Sequence, residues 1–384
     1  MRKFLLFLFI AQLSASAIWG QQESGQKRDY LQKLQALGQR AKDYFNEPFD
    51  TTRDEGYWMR ALKHGKLDIQ DTTVNYPGFL DFCAKAYRWG DYAFNHYDSA
   101  YVVGTGKKWK LMIYNNNWID SYNGDLGKTP VLMVSDFTAN FGAQISFMAI
   151  SLGYMLNMRN VLSNKKVRNT RWRFDFTTSR VAIDAYYTKN DESGVHIQRL
   201  GRFKGDYKFG GLERKSQGIY MYYFLNHLHY AQAAAYSFSK YQKRSSGSFI
   251  LGFHYGLQNI SLDFDHLSDD MLSYLPDALT KYRFNYRDYC VIAGYGYNWV
   301  VAKNWLVNFT GMPSIGYRRS SASSIEGKKD LFSINIRGKF AFIHNHGKFF
   351  YGLHAINDGH LYNSKKYSFY NNFTEINITA GYRF

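Results

Sequence analysis

The chain has 384 residues and a formal charge of +17, from 48 Lys and Arg against 31 Asp and Glu, and it holds only 5 prolines among 33 Tyr, 30 Phe and 32 Gly. That balance excludes an ordinary Leu/Val-rich soluble core. It also argues against a nucleic-acid binder, because no compact Lys/Arg run is interleaved with stacking aromatics; phosphate-bearing lipid headgroups or small anionic solutes are the expected partners.

Residues 1–20 read as a secretory signal. Arg2 and Lys3 form its charged start, Phe4 to Leu13 its apolar stretch, and Ser14 to Ala17 with Gly20 its small-residue end, so cleavage is expected after Ala17 or Gly20. No later run of 18 apolar residues occurs, which excludes helical membrane spans. Residues 21–103 are expected to form a periplasmic N-terminal segment. Within it, Leu31, Leu34, Leu37, Ala41 and Tyr44 recur at helical spacing, which predicts a helix over about 25–46. An aromatic-rich preface follows, with Trp58, Tyr76, Phe82, Trp89 and Tyr97 but no sustained period of two.

From residue 104 to 384 the pattern changes to alternation. Phe249, Leu251, Phe253, Tyr255 and Leu257 fall opposite Ser248, Gly252, His254, Gly256 and Gln258. Tyr289, Val291, Ala293, Tyr295, Tyr297 and Trp299 fall opposite Asp288, Cys290, Ile292, Gly294, Gly296 and Asn298. Strand geometry sends successive side chains to opposite faces, so each segment is a strand between an apolar and a polar environment. Strands are predicted at roughly 108–115, 131–138, 141–147, 149–157, 171–177, 181–188, 217–226, 229–238, 247–262, 285–301, 304–318, 330–343, 348–358 and 374–384. Short connections at Thr177–Arg180, Asn226–Leu228, Ala302–Asn304 and His344–Lys348 suit periplasmic turns. Longer polar ones at Leu156–Asn169, Asp191–Gln217, Asp263–Asn285, Arg319–Lys329 and Asn357–Asn372 suit outer loops. The expected fold is all-β: a transmembrane antiparallel β-barrel of about twelve strands, within a range of ten to fourteen. The expected location is the outer membrane of a Gram-negative bacterium.

Several motifs are weighed and set aside. Gly104-Thr105-Gly106-Lys107 lacks the leading Gly and trailing Ser/Thr of a phosphate loop. The pairs His227/His229 and His344/His346 sit at turns without a third ligand, and Asp263, Asp265, Asp269 and Asp270 fit no calcium loop. No Gly-x-Ser-x-Gly stretch occurs and His254 counts to the inner face, so neither an enzyme nor a cofactor is expected. Cys83 and Cys290 lie far apart, and either a disulfide or two free thiols is compatible with export. On the inner face, Arg171, Arg173, Arg318, Arg337, Lys339 and Arg383 outnumber the acids Asp175, Asp184, Asp288 and Glu375. An open lumen so lined would favour anions; a closed one would pair these charges across strands.

The chain resembles a family of Bacteroidetes outer-membrane proteins known as domain of unknown function 4421. The resemblance is carried by Tyr87-Arg-Trp-Gly-Asp91, Phe94-Asn-His-Tyr-Asp98, Tyr101 to Lys107 with Trp109, Lys240 to Phe253, and the terminal Gly-Tyr-Arg-Phe. It implies an outer-membrane barrel, surrounded by outer-membrane lipid and lipopolysaccharide, without a defined activity. It also implies that Phe384 is the terminal signal read by the barrel-assembly machinery. Passive passage or binding of small anionic solutes is the first functional expectation, a structural or envelope-interaction barrel with a plugged lumen the second, and a lipid-modifying outer-membrane enzyme the third.

Overall fold

The structure, a computed structural model, describes residues 78–107, 109–147, 150–158, 168–191, 194–275 and 279–384, together with Gln32, Gln35, Ala36 and Gln39. The signal segment and the rest of 21–77 lie outside the described residues. The chain divides into two units, Met1–Arg88 and Trp89–Phe384. In the first, the four isolated positions are helical and exposed, in keeping with part of the helix expected over 25–46. Helix α1 (Gly78–Asn95) begins there, with an i,i+4 ion pair of 2.8 Å between Asp81 and Lys85.

Among the described residues the second unit holds seventeen strands, numbered in chain order. β1 (Val102–Gly104) pairs with β11 (Lys240–Gln242); the other 15 form one antiparallel sheet. Twelve of these follow one another around it. They are β6 (Arg168–Thr177), β7 (Val181–Asp191), β10 (Leu212–Phe224), β12 (Ser246–Asp263), β13 (Lys281–Ala302), β14 (Trp305–Ser320), β15 (Asp330–His346), β16 (Phe349–Asn363), β17 (Tyr367–Arg383), β2 (Trp109–Leu126), β4 (Thr138–Phe147) and β5 (Ile150–Asn157). Contacts across the interior show that the sheet is curled. Arg173 on β6 lies 3.8 Å from Glu375 on β17. Eight strand-to-strand steps separate them, roughly 38 Å if the sheet were flat.

The two faces of each strand follow the alternation. On β13, Val291 is 63% exposed while its neighbours Cys290 and Ile292 are 0% and 1% exposed. From Tyr289 to Val301 every outward residue is apolar. That run rises about 40 Å along the strand, or about 29 Å vertically at the roughly 45° tilt usual for such strands, against about 30 Å of hydrocarbon. The outward apolar rows and the inward polar filling make this unit a transmembrane antiparallel β-barrel, in which the ladders satisfy the backbone without water.

Three expectations are corrected. Residues 229–238 form no strand: they carry helix α2 (Gln232–Tyr236) inside the 21-residue connection Leu225–Ser245, so Asn226–Leu228 is not a short turn. Asp191–Gln217 is not an open loop but contains β8 (Val195–Leu200), β9 (Phe203–Phe209) and the start of β10, with β3 (Thr129–Ser135) beside them. Asn357–Asn372 is mostly strand, with only Ser364–Lys366 left as a turn between β16 and β17. The β3–β8–β9 branch extends the upper half of β2. Its inner face, Met133, Val195, Ile197 and Leu200, closes over Phe284, Tyr362 and Phe369 in an apolar cap, joined by Met271 of helix α3 (Asp269–Leu272).

Candidate functional site

The lower lumen is filled by the chain itself. Ala231, Ala233, Ala234 and Ala235 are all buried, and their small side chains let the α2 segment fit within the wall. A short helix leaves its last carbonyls without partners, and here the wall supplies them. His354 lies 2.8 Å from the Ala235 oxygen, Lys110 Nζ donates to the Ser237 oxygen at 2.6 Å, and Arg383 Nε donates to the Phe238 oxygen at 3.1 Å. Asn298 donates to the Ala231 oxygen and Tyr236 Oη to Asn308. Phe238 has φ +54°, a conformation costly for a bulky residue, and packs its ring on Phe350 at 4.5 Å and His354 at 5.1 Å. The wall is bare where that ring seats: a Cβ on Gly352 would lie 2.7 Å from it. Below, the Lys240 ammonium is drawn beneath the ordinary lysine range by burial, which outweighs the opposing pull of Asp91.

Above the plug lies the charged layer in which most of the sequence-predicted cations meet acids. Asp184 receives Lys339 Nζ at 2.5 Å and lies 3.3 Å from Arg337 Nη2, and Arg337 Nε lies 3.3 Å from Asp358. Arg173 pairs with Asp175 at 2.8 Å and reaches Glu375. Arg318 grips Asp288 with two nitrogens, donates further to Ser333, Asn335 and the Leu361 oxygen, and lies over the Tyr286 ring at 4.1 Å. Arg383 stands apart, as a plug clamp that also holds Tyr241 and Asn345. Arg171 is on β6 opposite Thr188, and its side chain lies outside the description. The buried pair Arg214–Asp120 escapes the sequence reading, as does Asp358, which falls where the strand expected over 348–358 meets the loop expected over 357–372. Their even and odd places in strand alternation were the available signal.

Between these groups remains a space of about 30 Å³, bordered by Arg173, Asp184, Tyr186, Arg337, Asp358 and His360. It has room for one or two waters and no larger solute. His254 is inward as expected, stacked on Tyr220 at 4.1 Å.

The motifs set aside behave as surface features. Gly106 takes φ +71° in a turn after β1. Asp263 and Asp265 bind Lys281 at 3.2 and 2.7 Å, and hydrogen bonds from Lys281 and Thr280 hold the Asp265 carboxyl below the usual range. His229 contacts Asp98 at 3.4 Å, and no group of three metal-ligating side chains occurs among the described residues. Cys83 and Cys290 are both free thiols. Phe384 is exposed and stacks against Trp109 at 6.3 Å. A further cluster, missed in sequence, joins the end of β3, the start of β8 and the middle of β9: His196 lies 2.6 Å from Asp206 and 3.0 Å from Asp136.

Among solved structures, the chain is similar to the outer-membrane protease OmpT of Escherichia coli, at 7% identity over 73% of this chain and 98% of that one, with a TM-score of 0.33. It is similar to the translocator domain of the autotransporter NalP of Neisseria meningitidis at 8% identity, over 85% and 98% of the two chains, TM-score 0.25. A third, the attachment invasion locus protein Ail of Yersinia pestis, matches at 9% identity, over 72% and 99%, TM-score 0.17. No curated protein matches the sequence. Residues 96–384 match the domain of unknown function 4421 throughout, and the chain belongs to that family.

Proposed function

We propose that the protein is exported by its leader to a Gram-negative outer membrane and serves there as a sealed barrel, with a structural or interaction role in the envelope. The observation that carries this is the α2 plug, held by donors on its terminal carbonyls from three different wall strands, β2, β16 and β17. The filled charged layer above it supports the same reading. An anion pore needs unpaired cations along a water-filled path. Here Arg318, Arg337 and Lys339 are bound to Asp288, Asp184 and Asp358, and the space beside Asp184, Arg337 and Asp358 measures about 30 Å³, room for a water or two. The reading also gives the protein no catalytic role: the inward histidines His254, His354 and His360 are packed among rings and amides. Lipid and lipopolysaccharide are its surroundings, and the barrel-assembly machinery reading Phe384 is its route of insertion. The test is conductance of the purified protein in a planar bilayer, with swelling of sugar-loaded liposomes in parallel. The expected result is neither current nor swelling; a steady anion-selective current would overturn the proposal.

A further inference from the structure

The β3–β8–β9 branch stands outside the lipid band. On β2 the outward row is apolar at Trp109, Leu111 and Ile113, then turns largely polar through Asn115, Asn117, Ser121 and Asn123 to Asp125. β3 joins β2 only along Ser121 to Leu126, at the end away from Trp109 and Phe384. The branch finishes in an open edge. Among the described residues β9 pairs with β8 and with no other strand, and the N–H and C=O groups on its far side have no partner. Such an edge is a ready template for one more strand. One face of β9 is fixed by the apolar cap, against which Phe203 and Tyr207 are half-buried and Phe209 is buried. The other face carries Lys204, Asp206 and Lys208, all exposed. Arg199 lies directly opposite Lys204, and the exposed Arg202 stands in the turn between them. Like charges across a ladder repel, so the Arg199–Lys204 pair does not stabilise the sheet. Among the described residues none of Arg199, Arg202, Lys204 and Lys208 makes an ion pair or a side-chain hydrogen bond. Asp206 is taken up by His196 at 2.6 Å, so this hairpin presents four unmatched cations and no unmatched acid.

We propose that the open edge of β9 is a docking site for an extended acidic segment of another envelope protein, which adds to the sheet as one further antiparallel strand. The proposal rests on the envelope-interaction reading above and names the kind of partner. Main-chain bonds along Phe203–Phe209 supply the attachment, and alternate side chains supply the selection. Two acids spaced four residues apart on the added strand fall across from Lys208 and Lys204, which are about 13 Å apart along β9. Opposite charges across a ladder attract. The residue midway between the acids faces Asp206 and is neutral. The two intervening residues face the cap side, where the Phe203 ring lies over Gly205, and are apolar. A second copy of β9 does not suit this edge: antiparallel pairing centred on Asp206 sets Lys204 against Lys208 twice. The charges that blunt the edge against itself are thus the ones that select an acidic strand.

The test is fluorescence anisotropy of labelled peptides titrated with the full mature chain in detergent micelles. The probe is Thr-Glu-Val-Thr-Val-Glu-Thr, and its counterpart has Lys in place of both Glu. Wild type is expected to bind the Glu peptide at least about tenfold more tightly than the Lys peptide, and K204E/K208E to reverse that order. The Glu peptide is also made N-methylated at alternate residues, in each of the two phases. One phase should abolish binding, because it removes the donors that face β9, and the other should leave it unchanged. Amide exchange along Phe203–Phe209 should slow when the Glu peptide is bound. Equal binding of the two peptides, indifference to N-methylation in both phases, or no peptide binding up to about 1 mM would overturn the proposal. Binding of dextran sulfate without binding of any peptide assigns the patch to an anionic glycan and overturns it too. Heat-dependent gel mobility checks that K204E/K208E folds; if it does not, the N-methylated series on wild type decides. A barrel that conducts yet binds the Glu peptide refutes the sealed reading without touching this one.

Discussion

Asp184 is the tie between opposite walls of the barrel, and Asp184→Asn is the change that isolates its charge. The carboxylate on β7 holds Lys339 at 2.5 Å and Arg337 at 3.3 Å, both on β15, and all three side chains are at most 6% exposed. The amide keeps the shape and one acceptor but removes the counter-charge that Lys339 touches, leaving the ammonium beside the rings of Tyr222 and Tyr236, 5.3 and 5.4 Å away. Leaving a buried charge without its partner costs about 3–5 kcal/mol, a large share of a typical stability of about 5–15 kcal/mol. Lys339→Met should cost less, because Asp184 keeps Arg337. The double variant D184N/K339M should recover to within about 2 kcal/mol of wild type, since a pair replaced whole leaves no orphan. Equilibrium unfolding in guanidinium, followed by tryptophan fluorescence in detergent micelles, measures all three. A loss below about 1 kcal/mol in D184N, or strictly additive single variants, would refute the view that this ion cluster is dry and coupled.

Phe238→Ala should destabilise by about 3–5 kcal/mol through lost packing on Phe350 and His354, and Phe238→Gly should regain about 1 kcal/mol of that because φ +54° suits glycine; guanidinium midpoints compare them. Gly352→Val should cost about 1–3 kcal/mol by driving a methyl into the Phe238 ring, and F238A in the same chain should relieve most of it. His196→Ala removes the side chain that joins β8 to Asp136 and Asp206; trypsin should then cut at the exposed Arg202 several-fold faster while the barrel strands stay protected.

How much of this was legible depends on the range of the interaction. The outward faces of β12, β13, β14 and β15 follow from period two alone, because lipid on one side and a polar interior on the other impose the same rule along the whole strand. The plug was misread as a strand at 229–238 because a five-residue helix is too short to show a period of its own. Its alanines, which look featureless in sequence, are what let it fit. The β9 hairpin was legible: Phe203, Tyr207 and Phe209 alternate with Lys204, Asp206 and Lys208, but the density of charge led to a loop assignment. Which acid meets which cation could not be read. Asp184 and Lys339 are 155 residues apart, and they meet only because the sheet closes around them.

The surplus positive charge also finds its place by this route. Inside the barrel an unmatched charge costs several kcal/mol; the cations of the charged layer stand beside Asp120, Asp184, Asp288, Asp358 and Glu375, while Lys110 and Arg383 donate to plug carbonyls. At the ends of the strands water and counterions screen an imbalance, so the excess can accumulate there at little cost. Arg199 opposite Lys204 on the outer branch repeats the like-charge pairing of Arg287 with Arg319 and Lys189 with Lys215. A net charge of +17 thus describes the rims that face headgroups more than the lumen. On this argument, neutralising Arg287 or Arg319 should leave unfolding midpoints nearly fixed, whereas neutralising Asp184 or Asp288 should lower them.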